Sequence, residues 1–170
     1  MTPTVQNGHS EQQVHPLFSS SREIANLPSK PSTPRPMMPA ADDTASVEAL
    51  EQLGARLRRR KSGRIHTVDF RPVAPHIDDS QLAALEGLHS LVELYLSGTA
   101  ISDACLPSLA RHQQLATLDL QETGVGDQVF QLVDQLPALK ILVLSGTAVT
   151  GEEVRRQRSR LVQPRLVHLG

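Results

Sequence analysis

Tryptophan is absent from this chain of 170 residues, and one tyrosine and three phenylalanines are its only aromatics. A core built from it must be aliphatic, and 24 leucines supply the material. The single cysteine, Cys105, excludes an intrachain disulfide and a cysteine-based zinc site. An excess of one charge is missing too. Lys and Arg number 17 against 18 Asp and Glu, a balance of −1 that argues against a whole-chain nucleic-acid binder. No apolar stretch approaches the roughly 20 residues a membrane helix needs. Met1–Ser20 hold neither a basic charge nor an apolar run of secretory type. The expectation is a cytoplasmic protein in a reducing compartment, without membrane association.

What is present divides the chain by composition. Seven of the twelve prolines fall within residues 1–39, and Leu27–Pro39 reads LPSKPSTPRPMMP. Proline at that density removes amide donors and fixes φ, so neither helix nor sheet persists. Polar residues fill the rest, too few of them apolar to offset an ordering cost of about 1–2 kcal/mol per residue. Residues 1–43 are therefore read as a disordered Pro-rich tail. Its steps Pro31–Pro34 and Pro36–Pro39 fit either a semi-rigid tether or a proline-reading groove.

Beyond Asp43 the pattern turns helical. Val47, Leu50, Leu53 and Leu57 fall on one stripe, Asp42, Asp43 and Thr44 are candidate caps, and Arg58–Lys61 come late, complementing the helix dipole. With Gly63 as terminator, the spacing predicts an N-terminal capping helix over residues 44–64.

From Ile77 onward the sequence repeats with a period of 24. Ile77, Ile101, Val125 and Val149 form one column; Leu94, Leu118, Leu142 and Leu166 another; Thr99, Thr123 and Thr147 a third. Asp79, Asp103 and Asp127 form a fourth, placed to cap the helical stretch that follows each of them. Each unit holds LxxLxLxxTx(I/V), as in LVELYLSGTAI, LATLDLQETGV and LKILVLSGTAV. The LxL core alternates as a strand does, while Leu82, Leu85 and Leu88 recur as a helix face does. One such unit cannot close a core alone, but stacked neighbours can. A first copy, IHTVDFRPVAPHIDDSQLAAL, carries Val68 and Phe70 in the strand positions and two extra residues. In the last copy Gln157 stands in the column of Leu109 and Val133, as suits a polar terminal cap, and PRLVHLG at 164–170 can add a closing strand.

These units resemble leucine-rich repeats of the cysteine-containing, ribonuclease-inhibitor-like type. They are most similar to the bacterial, planctomycete-type repeat LxxLxLxGTxITDxxLxxL, standing here as LVELYLSGTAISDACLPSL and LATLDLQETGVGDQVFQLV. The resemblance covers about residues 46–170. It implies an α/β fold, a short right-handed solenoid of about four repeats over residues 65–170, with parallel strands on a concave face and helices on a convex one. It also places the Thr column where such repeats carry an Asn that bonds along the stack, so those threonines are expected to be structural.

Function is then expected on the concave strand face, as non-catalytic binding of a partner protein by a monomer. The candidate partner-binding residues are Asp69, Arg71, Glu93, Tyr95, Ser97, Thr117, Asp119, Gln121, Ile141 and Val143, with Thr67 and Ser145 in the same rows. Tyr95, between Asp69 and Asp119, suits an anchor for a basic segment, and a merely solvated sheet face is the plain alternative. Residues 65–151 carry three basic and ten acidic side chains, which also points to a basic partner. Two other readings stand beside this one: nucleic-acid or acidic-surface binding through the basic 56–64 segment, and a scaffold acting through the Pro-rich tail. No phosphate loop, metal spacing or nucleophile motif is present, so no enzyme activity, cofactor or metal is expected. Cys105 opens a helical stretch, a place that fits either a depressed thiol pKa or a small buried thiol.

Overall fold

The computed structural model of the chain describes residues 42–160 and 164–168. Both Pro-x-x-Pro steps, and all of the expected tail but its last two residues, lie outside the described residues. Those two, Asp42 and Asp43, belong to the folded body and correct the expected boundary. Asp42 accepts the backbone N–H groups of Ile65 (2.6 Å) and His89 (3.2 Å). Asp43 caps α1 (Thr44–Gln52) through Ala45 N–H and donates its own N–H to Gly87 O at 2.9 Å. Gly87 permits that approach, since a Cβ there would collide with Ser46.

The helix expected to reach residue 64 stops at Gln52. Gly54, at φ +82°, turns the chain, while Ala55 N–H bonds Leu50 O (3.1 Å) and Gly54 N–H bonds Glu51 O (3.0 Å). That pair of bonds is a Schellman closure, which needs a left-handed residue that only glycine adopts cheaply. The basic run then forms β1 (Arg56–Arg59), antiparallel to β2 (Ile65–Asp69). Gly63 ends no helix; at φ +81° it closes the hairpin, its N–H bonded to Arg60 O.

From β2 the chain repeats one pattern. A short strand, three residues long after β2, is followed by a turn and a helical segment: β3 (Glu93–Tyr95), β4 (Thr117–Asp119), β5 (Ile141–Val143) and β6 (Arg165–Val167), with α2 (Leu106–Leu109), α3 (Val129–Val133) and α4 (Gly151–Arg160) between them. The earliest unit has 3-10 turns, Arg71–His76 and Gln81–Leu85, in place of an α-helix. Pro75, inside the first of these turns, lacks the amide an α-helix would use, whereas Pro72 stands in its first turn, where no such amide is needed. All six strands join one sheet in the order β1 to β6, parallel from β2 onward.

The register follows the sequence period. Val68, Leu94, Leu118, Leu142 and Leu166 stand side by side, and the first four are fully buried. Leu96, Leu120 and Leu144 form a second buried row, and Ile77, Ile101, Val125 and Val149 a third beneath the turns. A backbone ladder runs through those turns, from Ala100 N–H to Ile77 O, Gly124 N–H to Ile101 O and Ala148 N–H to Val125 O. All these rows belong to one aliphatic cluster with Leu82, Leu85, Leu109 and Val133 from the helical side. Burying each such side chain contributes about 1.5–3 kcal/mol.

Of two polar columns, the aspartates differ from expectation and the threonines are structural as expected. Asp79, Asp103 and Asp127 do not cap their own helical segments. They accept the N–H of Ser102, Gly126 and Thr150, each one unit further along the chain. The caps are Ser102, which accepts Ala104 N–H, and Thr150, which accepts Glu153 N–H. Thr99, Thr123 and Thr147 donate to Leu96, Leu120 and Leu144 O at 2.6, 2.7 and 2.6 Å, inside their own turn and not along the stack.

Candidate partner-binding face

Because strand side chains alternate, fixing leucines inward turns every neighbour outward. Two rows result. Thr67, Glu93, Thr117, Ile141 and Arg165 form one; Asp69, Tyr95, Asp119, Val143 and Val167 form the other. All seven candidates on strands therefore share the outer face, while Arg71, Ser97 and Gln121 follow Asp69, Tyr95 and Asp119 at the next outward position. Thr67, although in this row, is buried and donates its hydroxyl to Glu93 Oε2 at 3.0 Å.

At the centre the expected open aromatic is covered. Arg71 lies over the Tyr95 ring, its guanidinium carbon 4.5 Å from the centroid. The same side chain donates to Asp69 through Nε (2.9 Å) and Nη2 (2.8 Å), and Arg71 N–H closes a tight turn on Asp69 Oδ1. These bonds hold Asp69 below the usual carboxylate range and raise Arg71 further. Partial burial, and Glu93 after it, raises the Tyr95 phenol, so the ring is a neutral amphipathic surface at any ordinary pH. The pair of carboxylates around Tyr95 is thus unequal: Asp69 is neutralised by the chain's own Arg71. Asp119 accepts the N–H of Gln121 and has no ion pair among the described residues.

The chain matches no family model and no curated protein.

Two outward strand residues and one exposed turn residue escape a reading of the repeats alone. Arg56 and Arg58 pair with Asp69 and Thr67 and so extend the face by one strand. They are hidden by the helical spacing of Leu50, Leu53 and Leu57, although the alternation in Arg56-Leu57-Arg58 marks a strand. Glu122 has φ +55°, in the column where Gly98 (+75°) and Gly146 (+69°) occupy the same left-handed turn. Its signal is legible: LQET stands where the neighbouring units read LSGT.

The face therefore runs from cationic (Arg56, Arg58, Arg71) through anionic (Glu93, Asp119, Glu122) to aliphatic (Ile141, Val143). Ile141 is 40 % exposed and the one exposed large hydrophobic among the described residues. Elsewhere, Cys105 is buried and burial pushes its thiol up to about 12, so of the two readings of this cysteine the small buried thiol holds. Among the described residues no three His, Cys, Asp or Glu side chains converge as metal ligands, and no helix is long and apolar enough to cross a membrane.

Proposed function

We propose that this chain is a leucine-rich-repeat solenoid that serves as a non-catalytic protein-interaction module in the cytoplasm, holding its partner on the outer, concave strand face. The observation that carries the reading is the register itself. Four strands, each one sequence period from the next, put chemically different side chains in straight outward rows while one set of leucines fills the inside. A face of this kind is ordered before it meets anything, so little conformational entropy is lost on binding. Packing supports the reading as well, because the buried rows of successive units join in one continuous core cluster.

The test compares two forms of the full chain. Wild type and a Thr117→Arg/Ile141→Arg variant, which blocks the outer face with cations, are used to capture proteins from a lysate of the source cell. Proteins retained by wild type and lost from the variant are the expected result. An identical set from both forms would overturn the assignment of the face.

A further inference from the structure

The sequence centres partner binding on Tyr95. The geometry moves it toward β4 and β5 and gives it a chemistry. Resting on the reading above, we infer that the face takes a partner segment in which a lysine or arginine adjoins an aliphatic side chain. The cation would sit among Glu93, Asp119 and Glu122, with the aliphatic group on Ile141 and Val143.

Three observations support this placement. First, the opposite side of the face is taken: Arg71 saturates Asp69 and covers Tyr95, so a partner cation gains nothing there that the chain does not already have. Second, Glu93, Asp119 and Glu122 form no ion pair with any described residue. Glu93 accepts one hydroxyl and Asp119 one backbone N–H, leaving lone pairs on both for an incoming donor. Third, Thr117 and Asp119 stand directly opposite Ile141 and Val143 on the next strand. Neighbouring strands lie about 4.8 Å apart, so charge and aliphatic surface lie within reach of adjacent side chains of one segment. A carboxylate beside an apolar strip selects against acidic segments by repulsion and against uncharged polar ones by desolvation.

Arg71 bounds this arrangement on one side. It stands beside the acidic group as a fixed cation, so it limits how close a second cation can come from the β2 side. Its removal should strengthen binding of a basic segment.

The test uses the full chain and two short fluorescent peptides, one with lysine and leucine spaced by serine and glycine, the other identical but with glutamate for lysine. Fluorescence anisotropy at low salt should show binding of the lysine peptide and not of the glutamate peptide. Asp119→Asn and Glu122→Gln should each weaken it by about threefold and together by about tenfold, as for exposed ion pairs. Arg71→Ala should tighten it by about twofold or more, and added salt should weaken it. Circular dichroism verifies that each variant is folded. Preference for the glutamate peptide, binding of the lysine peptide unchanged by the two acidic substitutions, or weaker binding in Arg71→Ala would overturn the partner chemistry alone. Binding of neither peptide would overturn the outer face as a binding surface, and this inference with it.

Discussion

The carboxylate of Asp79 reaches across to the next unit and accepts both the backbone N–H and the hydroxyl of Ser102, at 2.9 and 2.7 Å. Asp127 does the same to Thr150, at 2.8 and 3.0 Å. Between them Asp103 meets Gly126, which offers only its N–H, at 2.7 Å. The column is thus complete at both ends and lacks one hydroxyl in the middle. Gly126 does not sit at positive φ, and a Cβ there would lie 3.1 Å from Asp103 Oδ2, a side-chain oxygen that can yield the few tenths of an ångström needed and then take the bond, unlike a backbone oxygen. Gly126→Ser should therefore raise stability by about 1 kcal/mol, combining lower unfolded-state entropy with one charge-assisted hydrogen bond. Urea unfolding of Gly126→Ser, alone and with Asp103→Ala, measures it; a gain that survives loss of Asp103 would show that the carboxylate is not the cause. Gly124→Ser is the contrast and should destabilise, because a Cβ there meets Ile101 O at 3.0 Å.

What is legible in the sequence follows from what is periodic. The leucine rows, the repeat period and the outward set on β2 to β5 come from side-chain alternation plus spacing, and the strand register matches them residue for residue. Three features are hidden for physical reasons. Leu50, Leu53 and Leu57 share a helical spacing, yet Gly54 interrupts it with a local closure, and the brief alternation in Arg56-Leu57-Arg58 is too short to outweigh a stripe of leucines. Spacing locates the Asp column but does not say whether a carboxylate bonds within its own turn or to an N–H in the next unit. Finally, the cover of Tyr95 by Arg71 depends on a side chain folding back from the end of β2 onto β3, a contact between two repeat units that no local pattern encodes.

Glu122 holds a left-handed conformation that its equivalents, Gly98 and Gly146, adopt freely. A Cβ in that region costs roughly 1–2 kcal/mol, while glycine adds back roughly 0.5–1 kcal/mol of unfolded-state entropy. Glu122→Gly should therefore stabilise the fold by about 0.5–1 kcal/mol. The same change removes one of the three carboxylates without an ion pair, so affinity for the lysine peptide should fall as stability rises. Thermal unfolding and anisotropy on one preparation read both, and a loss of stability would contradict the strain.

Cys105 is a probe of the core. Its side chain is buried, and burial, followed by the nearby Asp79, pushes the thiol up to about 12. A thiol reagent such as dithionitrobenzoate should leave the native protein unmodified at neutral pH and react with one equivalent in urea. The labelling midpoint should coincide with that of circular dichroism. Fast labelling of the native state would mean that the segment around α2 opens apart from the rest.

His112 occupies a leucine column, one repeat from Leu88 on one side and from Leu136 on the other, and unlike leucine it can take up a proton. The ring is buried, bonds the Leu88 backbone, and leaves Nε2 without a partner. Desolvation holds its pKa below the ordinary 6.5, and the other charged groups bearing on it are His89, Glu86 and Arg111. Well above pH 6.5 the ring is neutral in both folded and unfolded chains and stability is unaffected. As pH falls below 6.5 the unfolded chain takes up a proton that the folded one refuses, so stability is lost toward the lower folded-state pKa. Asp69 and Asp78, whose pKa values are also lowered, act on stability only in the more acidic carboxylate range. His112→Leu restores the column, removes the orphan acceptor and should flatten the profile between about pH 7.5 and 5. Urea midpoints of wild type and variant at those two pH values measure the difference. Equal losses in both would show that the acid sensitivity arises elsewhere.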